Sequence, residues 1–311
     1  MPLLGTSPEP TPAPTGATDV YGNPDPEWLA IDWSEHLRSI RVRGTEVRYV
    51  ELGPSPSSAG PPLVFVHGLS GAWQNWLEQI PHFAGDHRVV ALDLPGFGGS
   101  PVPNWPITIS EYGRFLGAFC DELGIERCTL VGHSMGGFIA AEVAISDPER
   151  AERLALVSSA GITHARMMRA PATSLARLAA ATAPYAFKAR ERALTRPSLR
   201  HYALRGVFDQ PNELRPELLW ENIHAAFDAP GMLGAVAGLV GYDVTDRLPE
   251  IEVPTLVVWG RQDRVVPPSD GEEFVRLIPN AQRVVFDRCG HVPPIERPAR
   301  FNALLETFLA S

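Results

Sequence analysis

The sequence predicts an α/β protein: a mostly parallel central sheet flanked by helices, with a helical cap inserted into it. Three observations carry that prediction. Apolar runs of strand length alternate with helix-patterned segments from residue 63 onward. The alternation lapses between residues 161 and 245, where only helical spacing is found, and it then resumes to the C-terminus. Strands alternating with helices build a parallel sheet through right-handed crossovers. An all-helical insertion in such a chain is most simply a cap over the sheet's carboxyl edge.

The elements follow in order. Residues 1–27, "MPLLGTSPEPTPAPTGATDVYGNPDPE", are rich in Pro, Thr, Ser and Gly. Such a segment buries too little surface to order itself, so it reads as a flexible arm. It has no basic start and no apolar stretch of the kind a secretory signal needs. Trp28, Leu29 and Trp33 are available to anchor its end. "SIRVRGTEVRYVEL" (39–52) alternates apolar and polar residues around Gly44, a hairpin pattern. "LVFVHG" (63–68) is continuously apolar, as a strand covered on both faces must be. "AWQNWLEQIPHFA" (72–84) has helical spacing, and "HRVVALDLPGFGGS" (87–100) is a buried strand running into a glycine-rich loop. "TISEYGRFLGAFCDELG" (108–124) is an amphipathic helix with Ser110 as a plausible N-cap and Gly124 as its stop. "CTLVGHS" (128–134) is strand, "MGGFIAAEVAISDPE" (135–149) helix and "AERLALVSSAG" (151–161) strand. The cap helices are expected at 173–194, 197–208, 216–227 and 231–240. Strand, helix, strand and helix then follow at 254–263, 269–279, 281–291 and 298–310. The core thus comprises 28–160 and 246–311, and the cap 161–245.

Composition excludes several classes of function. The formal net charge is −9, which speaks against a nucleic-acid partner held through phosphates. No apolar run is long enough to span a membrane. Cys120, Cys128 and Cys289 are an odd number without C-x-x-C spacing, so neither a disulfide framework nor a zinc site is expected. Reduced thiols imply a cytoplasmic protein. No metal or other cofactor is called for, and the oligomeric state is left open.

The residues with chemistry fall at strand ends, where open parallel sheets form their sites. Residues 132–136 fit G-x-S-x-G, with Ser134 on a strand-to-helix turn. The turn is sharp, so small flanking residues let strand and helix approach, and the serine hydroxyl projects above the sheet. A serine needs a base to act as a nucleophile. His291, in "CGHVPPIERP", follows a buried strand and is the candidate; Asp263, in "WGRQDRVVP", follows the preceding one and would orient it. His133 is adjacent to Ser134, but its side chain is expected to point away and take no part. His67 is expected to order its own loop, and Asp93 to hold neighbouring loops together. Backbone N–H groups of Met135, at the helix start, and of Leu69 would stabilise an oxyanion. Trp73, Trp76 and Val292 are candidates for the pocket wall. "DLPGFGGS" lacks the Gly-Lys-Ser/Thr of a phosphate loop.

Together "HGLSGAW", "DLPGFGGS", "GHSMGG", "PTLVVWGRQDRVVP" and "CGHVPPIERP" resemble the α/β-hydrolase superfamily in its capped serine-hydrolase branch, over about residues 38–310. The resemblance implies a serine esterase with a Ser134–His291–Asp263 triad and a small-molecule ester substrate. Relatives that dehalogenate alkanes or open epoxides use aspartate where this chain has Ser134. Those that cleave carbon–carbon bonds in ring-fission products often carry an aromatic residue after the histidine and an arginine in the cap. Here Val292 follows His291, while Arg166, Arg169 and Arg205 are available in the cap, so that reaction is the alternative. A third alternative is a non-catalytic ligand-binding member of the fold.

Overall fold

The computed structural model describes residues 20–54, 60–163, 196–225, 229–240 and 242–311. Eight strands form one sheet: β1 (Leu37–Val42), β2 (Thr45–Leu52), β3 (Gly60–Val66), β4 (His87–Leu92), β5 (Cys128–His133), β6 (Ala151–Val157), β7 (Thr255–Gly260) and β8 (Ala281–Phe286). Their spatial order is β1-β2-β4-β3-β5-β6-β7-β8. Only β2 runs against the others, being antiparallel to both β1 and β4. β1 and β2 meet at a two-residue turn in which Arg43 and Gly44 both have positive φ (48° and 81°). That geometry matches the right-handed twist of the paired strands.

Every residue of β5 and of β7 is buried. Alternate side chains enter two cores, one on each face of the sheet. On one face Val64, Val66 and Leu130 pack with α2 (Ile109–Glu122) and α3 (Met135–Ser146). On the other, Leu63, Phe65 and Val131 pack with α1 (Ile80–Phe83) and the C-terminal helix Pro298–Leu309. This double covering is why the strand sequences read as unbroken apolar runs.

The local elements depart from expectation at three points. Thr108, not Ser110, caps α2: its side chain accepts the Glu111 N–H at 3.1 Å, while Ser110 lies inside the first turn. Gly124, at φ 64°, ends that helix as expected. Residues 72–84 do not form one helix. A 3₁₀ turn (Trp73–Trp76) precedes the one-turn α1, because Pro81 has no N–H to give to the carbonyl of Leu77. The flexible arm expected over 1–27 is docked where it is described. Tyr21 is buried, Gly22 N–H bonds the carbonyl of Glu296 at 2.8 Å, and Trp28, just beyond the arm, is buried as an anchor would be.

Between β6 and β7 the described chain has the α-helices α4 (Pro197–Leu204), α5 (Pro216–Ala225) and α6 (Met232–Val240), then a 3₁₀ helix (Thr245–Glu250). The helix expected at 173–194 lies outside the described residues, as do Arg166 and Arg169. Gly231 sits on Gly96 of the glycine-rich loop, its N–H bonding the Gly96 carbonyl at 2.9 Å. A Cβ on either glycine would lie 2.9 Å from the other's Cα, so the contact needs both. After β7 come α7 (Pro268–Leu277) and the one-turn α8 (Pro293–Glu296); the C-terminal helix is α9. No described helix is long and apolar enough to cross a membrane.

Candidate active site

Ser134 stands on the turn from β5 to α3 with φ 53° and ψ −118°. A non-glycine residue held there stores strain of about 1–3 kcal/mol, so the surroundings must enforce it. They do so sterically and by hydrogen bonds. Ser134 N–H donates to the Val157 carbonyl (2.9 Å), and its own carbonyl accepts from Gly137 (3.1 Å) and Ala160 (3.0 Å). A Cβ on Gly132 would lie 2.3 Å from the Gly136 carbonyl oxygen, and one on Gly136 would lie 2.1 Å from that of Val66. The glycines of the motif are therefore demanded by backbone contacts between β3, β5 and α3.

His291 Nδ1 lies 2.8 Å from Asp263 Oδ2, with the aspartate side chain fully buried. The other oxygen, Oδ1, accepts the N–H groups of Val265 (2.8 Å) and Val266 (2.9 Å). An ionised carboxylate only accepts, so Nδ1 carries the hydrogen and Nε2 holds the free lone pair. The two loops are stitched together by Gln262 N–H on the Cys289 carbonyl (2.8 Å) and Cys289 N–H on the Gln262 side chain (3.0 Å). A Cβ on Gly260 would lie 2.0 Å from the Gly290 carbonyl oxygen, so only glycine lets them cross.

Ser134 and His291 line one cavity of about 250 Å³. Its walls are mostly aliphatic. Leu69 and Val292 come from the core loops, and Leu204, Phe208, Ile223 and Leu239 from the segment between β6 and β7. Leu69 lies in the turn closed by Gly71 N–H on the Gly68 carbonyl (3.0 Å). Met135 is the first residue of α3, where the amide has no intrahelical acceptor, and its side chain is fully buried. Among the described residues no arginine or lysine lines the cavity. Arg205 is exposed elsewhere.

Trp73 and Trp76 do not line the cavity, which corrects the expectation that they wall it. Trp76 is fully buried against Phe65 (ring centroids 4.8 Å apart) and Trp73 packs on Trp33 (5.1 Å). The 3₁₀ turn aims both indoles into the core and leaves Asn75, between them, at the cavity. Asn75 donates to Asn222 of α5 (2.5 Å), and neither asparagine was singled out by sequence.

His133 is also corrected. Its ring does not point away: it lines the cavity and packs on the His291 ring, centroids 4.8 Å apart. Its Nε2 lies 2.8 Å from the His291 carbonyl oxygen, so Nε2 bears the hydrogen. Burial, then the neighbouring His291, lower its pKa to about 3. His67 is neutral for the same first reason, its pKa lowered to about 4 by burial. Its Nε2 accepts Leu94 N–H (2.9 Å), which leaves Nδ1–H for the Gly68 carbonyl (2.7 Å). Asp93 organises the glycine-rich loop, accepting Trp73 N–H and Gly99 N–H at 2.8 Å each. A Cβ on Gly98 would meet that same carboxylate at 2.5 Å.

A family model described as "alpha/beta hydrolase fold" matches residues 61–298. The chain is 35% identical over 267 residues to a 2-hydroxymuconate semialdehyde hydrolase of Pseudomonas sp. (strain CF600), covering 82% of this chain and 88% of that one. It is 32% identical over 279 residues to a dihydrolipoyllysine-residue acetyltransferase component of an acetoin cleaving system from Cupriavidus necator, covering 86% and 67%. Among solved structures, a thermophilic esterase from Thermogutta terrifontis superposes with a TM-score of 0.68 at 26% identity, over 88% of this chain and 98% of that one. By its sheet order, its serine turn and these likenesses, the chain belongs to the alpha/beta hydrolase fold family.

Proposed function

We propose that this protein is a serine carboxylesterase. The observation that carries the reading is Ser134 and His291 on one apolar cavity, with His291 backed by the buried Asp263 carboxylate. His291 Nε2 takes the Ser134 proton as Oγ attacks the ester carbonyl. The oxyanion rests on the N–H groups of Leu69 and Met135, each worth about 3 kcal/mol in the transition state. The imidazolium, stabilised by Asp263, gives its proton to the departing alcohol. Water, activated by the same histidine, then frees the acid and restores Ser134. Residues 161–245 act as a cap that shapes the pocket, no cofactor takes part, and the three free, buried cysteines accord with a cytoplasmic location.

The test is Ser134→Ala assayed with short p-nitrophenyl esters. The expected fall in kcat is about a thousandfold or more. Turnover within tenfold of the unmodified protein would overturn the reading.

Likeness to the semialdehyde hydrolase supports a second reading, hydrolysis of a carbon–carbon bond by the same serine. The aliphatic wall of Leu204, Ile223 and Leu239 favours the ester, since it suits an apolar acyl chain. Turnover of a coloured ring-fission product faster than any ester would reverse that order.

A further inference from the structure

Glu296 is fully buried, yet its carboxylate gathers donors from three separate parts of the chain. Tyr21 Oη–H donates from the N-terminal segment at 2.6 Å. Asp209 N–H donates from the stretch after α4 at 2.7 Å. Gly290 N–H (2.9 Å) and Val292 N–H (3.1 Å) donate from the loop that carries His291. The last two bracket the histidine. His291 N–H itself bonds the Val207 carbonyl at 2.7 Å, two residues from Asp209. Three consecutive amides, 290 to 292, therefore end on Glu296 or on the segment that Glu296 also holds. Tyr21 completes the node: its hydroxyl accepts Gln210 N–H (2.8 Å), and the Arg297 guanidinium lies 5.2 Å from the centre of its ring.

The arrangement has a direction. A side chain on Gly290 could not fit, since its Cβ would lie 2.6 Å from the Val207 carbonyl oxygen and 3.1 Å from Glu296 Oε1. Asp263 orients the imidazole, but it does not touch the backbone from which the imidazole hangs. Glu296 does. A displacement of about 1 Å at a proton-transferring group costs roughly a hundredfold in rate.

We propose that Glu296, fastened by Tyr21 from the N-terminal segment, is a positioning residue for His291, so that this segment is a working part of the active site. The proposal rests on the serine-esterase reading. It predicts a loss in the chemical step with little effect on binding, because no atom of the pair lines the cavity.

The experiment compares Tyr21→Phe, Glu296→Gln and, as control, Asn23→Ala in the full chain. Asn23 also holds the N-terminal segment, but through Glu78 at 2.8 Å rather than through Glu296. Each variant is assayed with p-nitrophenyl butyrate beside Ser134→Ala, and thermal unfolding checks that it is folded. The low-field proton resonance of the His291–Asp263 hydrogen bond is followed by NMR. Tyr21→Phe is expected to lower kcat five- to twentyfold with KM within twofold, and to shift or broaden the resonance. Glu296→Gln, which sets an amide NH₂ among N–H donors, is expected to lose at least a hundredfold. Asn23→Ala should stay within twofold and keep the resonance. A folded Tyr21→Phe with unchanged kcat and resonance overturns the proposal whether or not Glu296→Gln folds. So does an Asn23→Ala that loses as much as Tyr21→Phe. Turnover that survives Ser134→Ala overturns the serine reading instead, and the resonance then decides the positioning role alone.

Discussion

Three histidines stand at strand ends, and their hydrogen bonds give them different jobs. His67 has both ring nitrogens committed to backbone, as donor to Gly68 and acceptor from Leu94. His133 gives its hydrogen to the His291 carbonyl, and its Nδ1 finds no partner among the described residues. Of the three, only His291 sets Nδ1 on a carboxylate, that of Asp263, while lining the cavity. The first two carry folded pKa values lowered to about 4 and about 3, against about 6.5 unfolded. Below pH 6.5 the unfolded chain therefore binds protons that the folded chain refuses. Their contribution is fully present above that pH and is lost as the pH falls toward the folded values. Each should cost roughly 2 kcal/mol between pH 7.5 and 5. Glu78 and Glu296, whose carboxyls burial pushes up, work in the opposite direction in acid. A single-site comparison isolates the imidazole. The difference between urea midpoints at the two pH values should narrow for His67→Gln by the share His67 contributes, His133 keeping its own, and an unchanged difference would show that His67 does not titrate in this way.

At the scale of the element, the β5–turn–α3 unit is set by contact distances that glycine alone permits. Gly136→Ala would drive a methyl to 2.1 Å from the Val66 carbonyl and 2.5 Å from that of His67. Both obstacles are backbone next to the middle of the sheet, so neither can yield cheaply. We expect about 3 kcal/mol or more of lost stability and slower fluorophosphonate labelling of Ser134. Gly206→Ala is the control: nothing lies within 4 Å of its Cβ, so denaturant midpoint and labelling rate should hold or rise slightly. Equal effects from the two substitutions would sink the steric account.

At the scale of the whole molecule, the core carries Ser134 and His291, and the segment between β6 and β7 contributes much of the wall of the cavity they line. Ile223 and Leu239 reach the same cavity as Ser134 from helices more than eighty residues further along the chain. Specificity should therefore change without loss of chemistry when this wall is altered. Ile223→Phe narrows a cavity of about 250 Å³, so the preferred acyl chain of a p-nitrophenyl ester series should shorten by two or more carbons. The fluorophosphonate labelling rate should stay within a few fold. An unchanged chain-length profile would mean that the substrate chain lies elsewhere.

The sheet, both flanking layers and the candidate residues at the strand ends could be read from sequence. Buried parallel strands must be apolar throughout, turns must carry glycine, and chemistry collects at the strand ends. Ser134, Asp263 and His291 were legible because each interrupts such a pattern at a predictable place. What holds them comes from contacts between distant parts of the chain. Glu296 receives Tyr21 from 275 positions away, Asn75 meets Asn222 across 147, and His133 turns toward His291 across 158. The tryptophans beside Asn75 likewise went to the core because a 3₁₀ turn replaced the helix that their spacing suggested. No local pattern records such pairings. A side chain's partner depends on which distant backbone passes within hydrogen-bonding reach, and packing alone decides that.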